Sequence, residues 1–313
     1  MRFHNILYVS HGTGAETEAL KQAFSLACTN RAALNILVIH PDLPREMENQ
    51  KENYQKFLVE QIKNTMRTVQ TGLAVNDQEV PGVRIGVESG GAQAIRVIRH
   101  VLRESYDLVV KDAEHTEDQA EGFRAIDMEL LSKCPVPVWL CRPISRARSE
   151  INIAVAIDPE KREPKETDLA IALLRIARQL ADTCSGTLYV ISCWEFEFES
   201  YLRHNAWTNM PEGEVLKIVN STKLTHRAAL DKCIEQAGIG GDIQLHHPRG
   251  RPEDVIPDLL NQYGVNVLVM GTVARTGIPG FIFGNTAENI LHKVSCSLLA
   301  LKPNGFISPV KAY

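Results

Sequence analysis

The chain has 313 residues, a formal net charge of −4, 44% hydrophobic and 23% charged residues, which is the balance of a soluble globular protein long enough for two ordinary domains. The slight acidity gives no electrostatic case for binding nucleic acid or an anionic membrane, and no apolar run approaches the ~18 residues needed to span a bilayer. Seven cysteines, an odd number with irregular spacing and no C-x-x-C pair, predict reduced thiols in a cytoplasmic protein, neither a disulfide framework nor a zinc site.

In chain order, Ile6 to Val9 is a short apolar run that reads as a first strand, ended by Ser10. Thr17 to Cys28 has helical spacing through Leu20, Ala23, Phe24 and Ala27. Leu34 to Ile39 is a second strand, and Arg45 to Gln70 a long polar helix with an apolar stripe through Tyr54, Phe57, Leu58 and Ile62. Val83 to Val87, Leu108 to Val110 and Val136 to Leu140 are three further strands, with helices between them. Strands that alternate with helices predict a parallel sheet covered on both faces, whose ligands sit beyond the C-terminal strand ends. In this half the loop after the fourth strand carries Asp112, Glu114, Glu117, Asp118 and Glu121, with Gly122 its only glycine. Such a row of carboxylates repels a phosphate.

The basic stretch Arg142 to Ser149 reads as a linker, and then the pattern repeats. Ile151 to Ile157 is again a first strand, ended by Asp158 where the first half has Ser10. Thr167 to Thr183 is a helix, Leu188 to Ile191 a second strand, and Met210 to Gly238 holds a long helix. Ile243 to Leu245, Val267 to Met270 and Leu298 to Leu301 complete five strands. A repeat of about 150 residues signals a duplicated domain, with one copy over residues 1–145 and the other over 150–305. Between the second strand and the long helix, Trp194 to Tyr201 alternates aromatic and acidic residues, as an aromatic edge packed on the domain or as a lid over an apolar cavity. His246-His247 has no further ligands at metal spacing, and no G-x4-G-K-[ST] loop is present.

The most informative stretch is Gly271 to Thr286, a glycine-rich loop between an apolar strand and a helix. Glycines let backbone N–H groups approach an anion, and a helix N-terminus adds free donors, so the parts suit a phosphate, with Asn285 or Thr286 as cap or side-chain contact. This stretch resembles the universal stress protein signature, Gly-x2-Gly-x9-Gly-[Ser/Thr]. Gly271 matches the first glycine and Gly284 the third, Ala274 stands at the second, Asn285 at the hydroxyl position, and Thr286 lies one position late. The run G-T-V-x-R-T-G followed by G-N-T-A-E is similar to the tandem, E-type members of that family.

The resemblance implies two tandem domains of the adenine nucleotide alpha hydrolase-like kind, each a five-stranded parallel sheet with helices on both faces. It implies a non-catalytic stress-response protein that binds ATP or another adenine nucleotide, without a metal, in the second half. There the base or ribose meets Asp158 and Cys193, and the phosphates meet Met270, Gly271, Arg275, Gly284, Asn285 and Thr286. It also implies an internal pseudo-dimer in which Val136 to Leu140 faces Leu298 to Leu301. The alternative is a scaffold that binds an apolar ligand or a protein partner, the glycine loop being only structural.

Overall fold

A computed structural model describes residues 2–12, 17–73, 82–114, 123, 125–160, 164–204, 210–273 and 283–313. Its first half runs β1 (Asn5–Ser10), α1 (Glu18–Asn30), β2 (Ala33–His40), α2 (Lys51–Leu73), β3 (Val83–Ser89), α3 (Gln93–Glu104), β4 (Leu108–Asp112), α4 (Ala125–Lys133) and β5 (Val138–Cys141). Its second half runs β6 (Asn152–Ala156), α5 (Pro164–Cys184), β7 (Thr187–Ile191), α6 (Glu199–His204), α7 (Glu212–Ala237), β8 (Ile243–His246), α8 (Pro252–Gln262), β9 (Val267–Gly271), α9 (Asn285–Leu291) and β10 (Ser297–Leu301). The long second helix begins later than the periodicity suggests, because Arg45–Gln50 winds as a 3-10 turn behind Pro44 before α2 starts.

The strands form one sheet of ten in the order β3-β2-β1-β4-β5-β10-β9-β6-β7-β8. Within each half every pairing is parallel, as the strand–helix alternation predicts. The expectation of two separate sheets gives way at the centre. There β5 and β10 pair antiparallel, Leu140 opposite Leu298, Trp139 opposite Leu299 and Val138 opposite Ala300. Both strands are buried along their length, so an unpaired edge on either would leave backbone N–H and C=O groups without partners in an apolar setting. Joining the edges satisfies both rows.

Strand side chains alternate between two cores. Ile6, Tyr8, Val110, Val155 and Val269 face one core, shared with α1, α2, α5 and α7. Leu7, Val9, Val109, Ala154 and Leu268 face the other, shared with α3, α4, α8 and α9. A sheet buried on both faces explains why these strands read as continuous apolar runs. In each half the order is third, second, first, fourth, fifth, so the direction of winding reverses between β1 and β4 and again between β6 and β9. Those two crevices, at the C-terminal strand ends, are where a ligand of such a sheet binds.

Candidate functional site

The second crevice is bounded by the ends of β7, β6 and β9. Ala156 lies beside Ile191 on one side and Met270 on the other, so Asp158, Cys193 and Gly271 emerge together just beyond the sheet. Asp158 is half-buried, and one of its carboxylate oxygens accepts the Glu160 N–H at 2.9 Å, which tightens the turn after β6. Cys193 is half-buried, and burial, with the Glu253 carboxylate adding to it, pushes its thiol up to about 12. It therefore stays protonated at neutral pH and offers an apolar surface. The chain after β7 is pinned by Trp194, whose N–H donates to the Pro248 carbonyl at 3.1 Å while its own carbonyl accepts the Gly250 N–H at 3.0 Å.

Met270 is buried in the core over α8 and α9. Gly271 has a packing reason to lack a side chain: a Cβ there would stand 3.1 Å from Leu169 Cδ2 on α5. The glycine loop leaves β9 through Thr272 and Val273 and returns at Phe283, which bridges back to Val273. The Gly284 N–H then donates to the Thr272 carbonyl at 3.1 Å. Gly284 itself is the N-cap of α9, with φ −74° and ψ 127°, so Asn285 and Thr286 are not the cap but the first helical residues, both exposed. A glycine cap brings no side-chain acceptor, and the first amides of α9 have no side-chain cap. Arg275, with Ala274, Gly277 and Gly280, lies outside the described residues.

Sequence reading missed Lys302, just past β10. Its ammonium donates to Thr272 Oγ1 at 2.7 Å and to the carbonyl of Leu131, at the end of α4. It lies 5.0 Å from the Phe306 ring centre and 5.9 Å from that of Phe283. Burial pulls its pKa down to about 8. A lone lysine after an apolar strand carries no motif, so only the folded chain brings it to the base of the glycine loop.

The first crevice is built differently. Ile6 pairs with Leu108 as Ile153 pairs with Val267, so Lys111 and Asp112 occupy the places of Met270 and Gly271. The same register sets His11, not Ser10, opposite Asp158. Lys111 is 1% exposed and donates to Asp127 Oδ1 at 3.0 Å and to the Asp112 carbonyl at 2.9 Å. The other Asp127 oxygen accepts the Glu114 N–H at 2.9 Å. Asp127 is fully buried in the first turn of α4, where α9 carries Ala287. Asp112 accepts the Ala19 N–H at 3.1 Å, and Glu114 lies 3.9 Å from His11 Nε2 and from Lys111 Nζ. The loop carboxylates named from the sequence are thus not the whole of what lines this crevice. A buried ion pair fills the start of α4, and Asp112 and Glu114 are tied into it or beside it. Glu117, Asp118, Glu121 and Gly122 lie outside the described residues.

Of the aromatic–acidic stretch, Trp194 is buried on Val215 and Val219 of α7 with Phe196 beside it, whereas Phe198 and Tyr201 are exposed. His247 accepts or donates a 2.8 Å contact with His226, and no group of three or more His, Cys, Asp or Glu among the described residues could hold a metal ion. No helix of the described residues is long and apolar enough to cross a membrane.

Comparison with known proteins agrees with this architecture. The model of the universal stress protein family matches residues 152–302. Universal stress protein E of Escherichia coli (strain K12) is 30% identical over 220 residues, which cover 69% of this chain and 66% of that protein. Universal stress protein E of Salmonella typhi is 30% identical over 220 residues, 69% of this chain and 67% of that one. The crystal structure of a functionally unknown protein from Pseudomonas aeruginosa PAO1 matches with a TM-score of 0.69 and 22% identity over 96% of this chain and 93% of that one, a likeness of fold. Family model, relatives and the doubly wound halves coincide, and the chain belongs to the universal stress protein family.

Proposed function

We propose that this chain binds an adenine nucleotide, ATP or a relative of it, in its second half alone and acts by binding, not by catalysis. The observation that carries the reading is the contrast between the two crevices. The second has a glycine N-cap on α9, Met270 and Gly271 at the strand end, and Asp158 beside them. The equivalent places of the first hold the buried Lys111–Asp127 pair and Asp112. An anion entering the first crevice meets a carboxylate already seated at the helix start. In the second it meets backbone N–H groups and the positive end of α9.

In this reading Asp158 accepts from a ribose hydroxyl or base amine, in addition to the turn it already makes. Cys193 gives the base an apolar contact. Gly271, Gly284, Asn285 and Thr286 give phosphate oxygens close backbone approach, Arg275 adds charge, and Met270 supports the strand end from below. Residues 1–145 and 150–305 act as two domains of an internal pseudo-dimer joined along β5 and β10. The first domain is a structural partner, and the protein works in the cytoplasm without a metal.

Calorimetric titration with ATP tests this. Wild type is expected to bind, and Gly284→Leu to lose at least about tenfold in affinity by blocking backbone approach, with its fold retained by circular dichroism. Gly122→Leu in the loop of the first half is expected to leave binding unchanged. No binding by wild type favours the scaffold alternative, and an equal loss in both variants removes the asymmetry.

A further inference from the structure

Away from both crevices, a half-open cavity of about 210 Å³ lies at the join between the halves. It lies over β5, between α1, the end of α2, the linker after β5 and the last turn of α5. Leu26, Leu73, Ile144, Ile151 and Leu180 are its apolar walls. Trp139 of β5 also lines it and is 6% exposed, yet its Nε1–H has no acceptor among the described residues. That nitrogen has almost no accessible surface of its own, so Trp139 offers an occupant the apolar surface of its ring, not a donor.

The charge at the opening narrows the class of occupant. Lys21, Arg146 and Arg148 line the cavity, all are exposed, and none forms an ion pair among the described residues. Arg148 hydrogen-bonds the Cys184 thiol, and the Arg146 guanidinium lies against Gly264, where a Cβ would stand 2.5 Å from it. The carboxylate in the lining, Glu18, accepts from Gln22 Nε2 at 2.9 Å. Three cations face one carboxylate, which favours an anion at the mouth. Since a cavity of about 150 Å³ takes up benzene, this one has room for a single ring and a short polar arm. A nucleotide or a long acyl chain does not fit that volume.

We propose that this cavity binds a small carboxylate with a single-ring apolar body, its carboxylate held by Arg146, Arg148 and Lys21 and its ring packed against the Trp139 indole. The site belongs to both halves at once, since α1 and Trp139 come from the first and α5 from the second. It is independent of nucleotide binding.

The probe is para-hydroxybenzoate, added to nitrogen-labelled full-length chain and followed by proton–nitrogen correlation spectra. Trp139→Phe assigns the Trp139 indole resonance among the three tryptophans. The expected result is a saturable shift of that resonance, with the indole of Trp194 unmoved. The double variant Arg146→Ala/Arg148→Ala, and separately the neutral analogue para-hydroxybenzyl alcohol on wild type, are each expected to weaken binding about tenfold or more. Leu180→Trp fills the cavity and is expected to abolish the shift while the rest of the spectrum stays dispersed. If that variant does not fold, Leu26→Phe serves the same purpose from the opposite wall. A Trp139 indole that stays still at millimolar acid overturns the site. Equal binding of acid and alcohol overturns the assignment of a carboxylate, and an equal shift on adding ATP overturns its independence.

Discussion

Arg142 and Lys302 hold the same place in the two halves, each following the fifth strand and each set over a phenylalanine, Phe123 ahead of α4 and Phe283 ahead of α9. Arg142 lies 5.0 Å from the Phe123 ring centre and Lys302 5.9 Å from that of Phe283. Burial lowers the pKa of both, but an arginine remains charged whereas Lys302 falls to about 8 from 10.5. The sign of the resulting pH dependence follows from linkage. Between pH 8 and 10.5 the unfolded chain holds a proton at Lys302 that the folded chain has lost, so stability rises with pH across that window. Below it the burial cost is fully present. Lys302→Met removes that titration, so its stability relative to wild type is expected to be most favourable at neutral pH and to fall as pH climbs from 8 towards 10.5. Urea unfolding of both proteins at several pH values measures it, and a difference that does not change with pH rejects the assignment. The same burial governs the thiols: Cys134 and Cys296 are pushed up to about 12, which keeps them inert at neutral pH.

At the scale of elements, β4 with α4 and β9 with α9 are two versions of one strand–loop–helix unit. They differ in what meets the helix start. Breaking a buried ion pair strands the remaining charge, so Asp127→Asn or Lys111→Met alone is expected to cost about 3–5 kcal/mol. Lys111→Met with Asp127→Ala installs the residues of the second half, Met270 and Ala287, and is expected to recover most of that loss. Chemical denaturation of the two singles and the double closes the cycle; a double as unstable as the sum of the singles refutes the coupling. Much of this unit is legible in the chain itself. The apolar runs Leu108 to Val110 and Val267 to Met270, and the glycines after the second, mark strand, loop and helix by composition. The acidic side chains after β4 mark the first crevice as different from the second. What composition does not carry is which carboxylate closes the first. Asp127 carries no signal in the sequence until the fold sets Lys111 against it. The cap on α9 is missed for a similar reason. Asn285 and Thr286 are the stronger capping types, but Gly284 has the extended backbone and the hydrogen bond to Thr272.

Across the whole molecule, the antiparallel join of β5 with β10 turns two parallel sheets into a single layer, with β3 and β8 as its edges among the described residues. The family resemblance implies that β5 and β10 face each other. It does not show that they share hydrogen bonds, since pairing across halves depends on the twist and register of everything between. The consequence is mechanical coupling. Trp139 and Leu299 are opposite one another, Arg142 and Ser297 exchange hydrogen bonds at 2.9 and 3.4 Å, and Lys302 of the second half donates to Leu131 of the first. With buried strands on both sides of the join, opening it exposes apolar surface of both halves at once. The central strands β1, β4, β5, β10, β9 and β6 are therefore expected to exchange amide hydrogens as one slow group, while β3 and β8 exchange sooner through local opening at their free edges. Leu299→Pro removes a backbone donor from a strand paired on both sides and is expected to cost about 3 kcal/mol or more. Peptide-resolved hydrogen exchange on wild type and this variant is the measurement. In the variant β5 should lose protection together with β10, across the junction from the substitution. A β5 that keeps its wild-type protection while β10 loses its own shows that the halves are stable separately, and the coupling is then wrong.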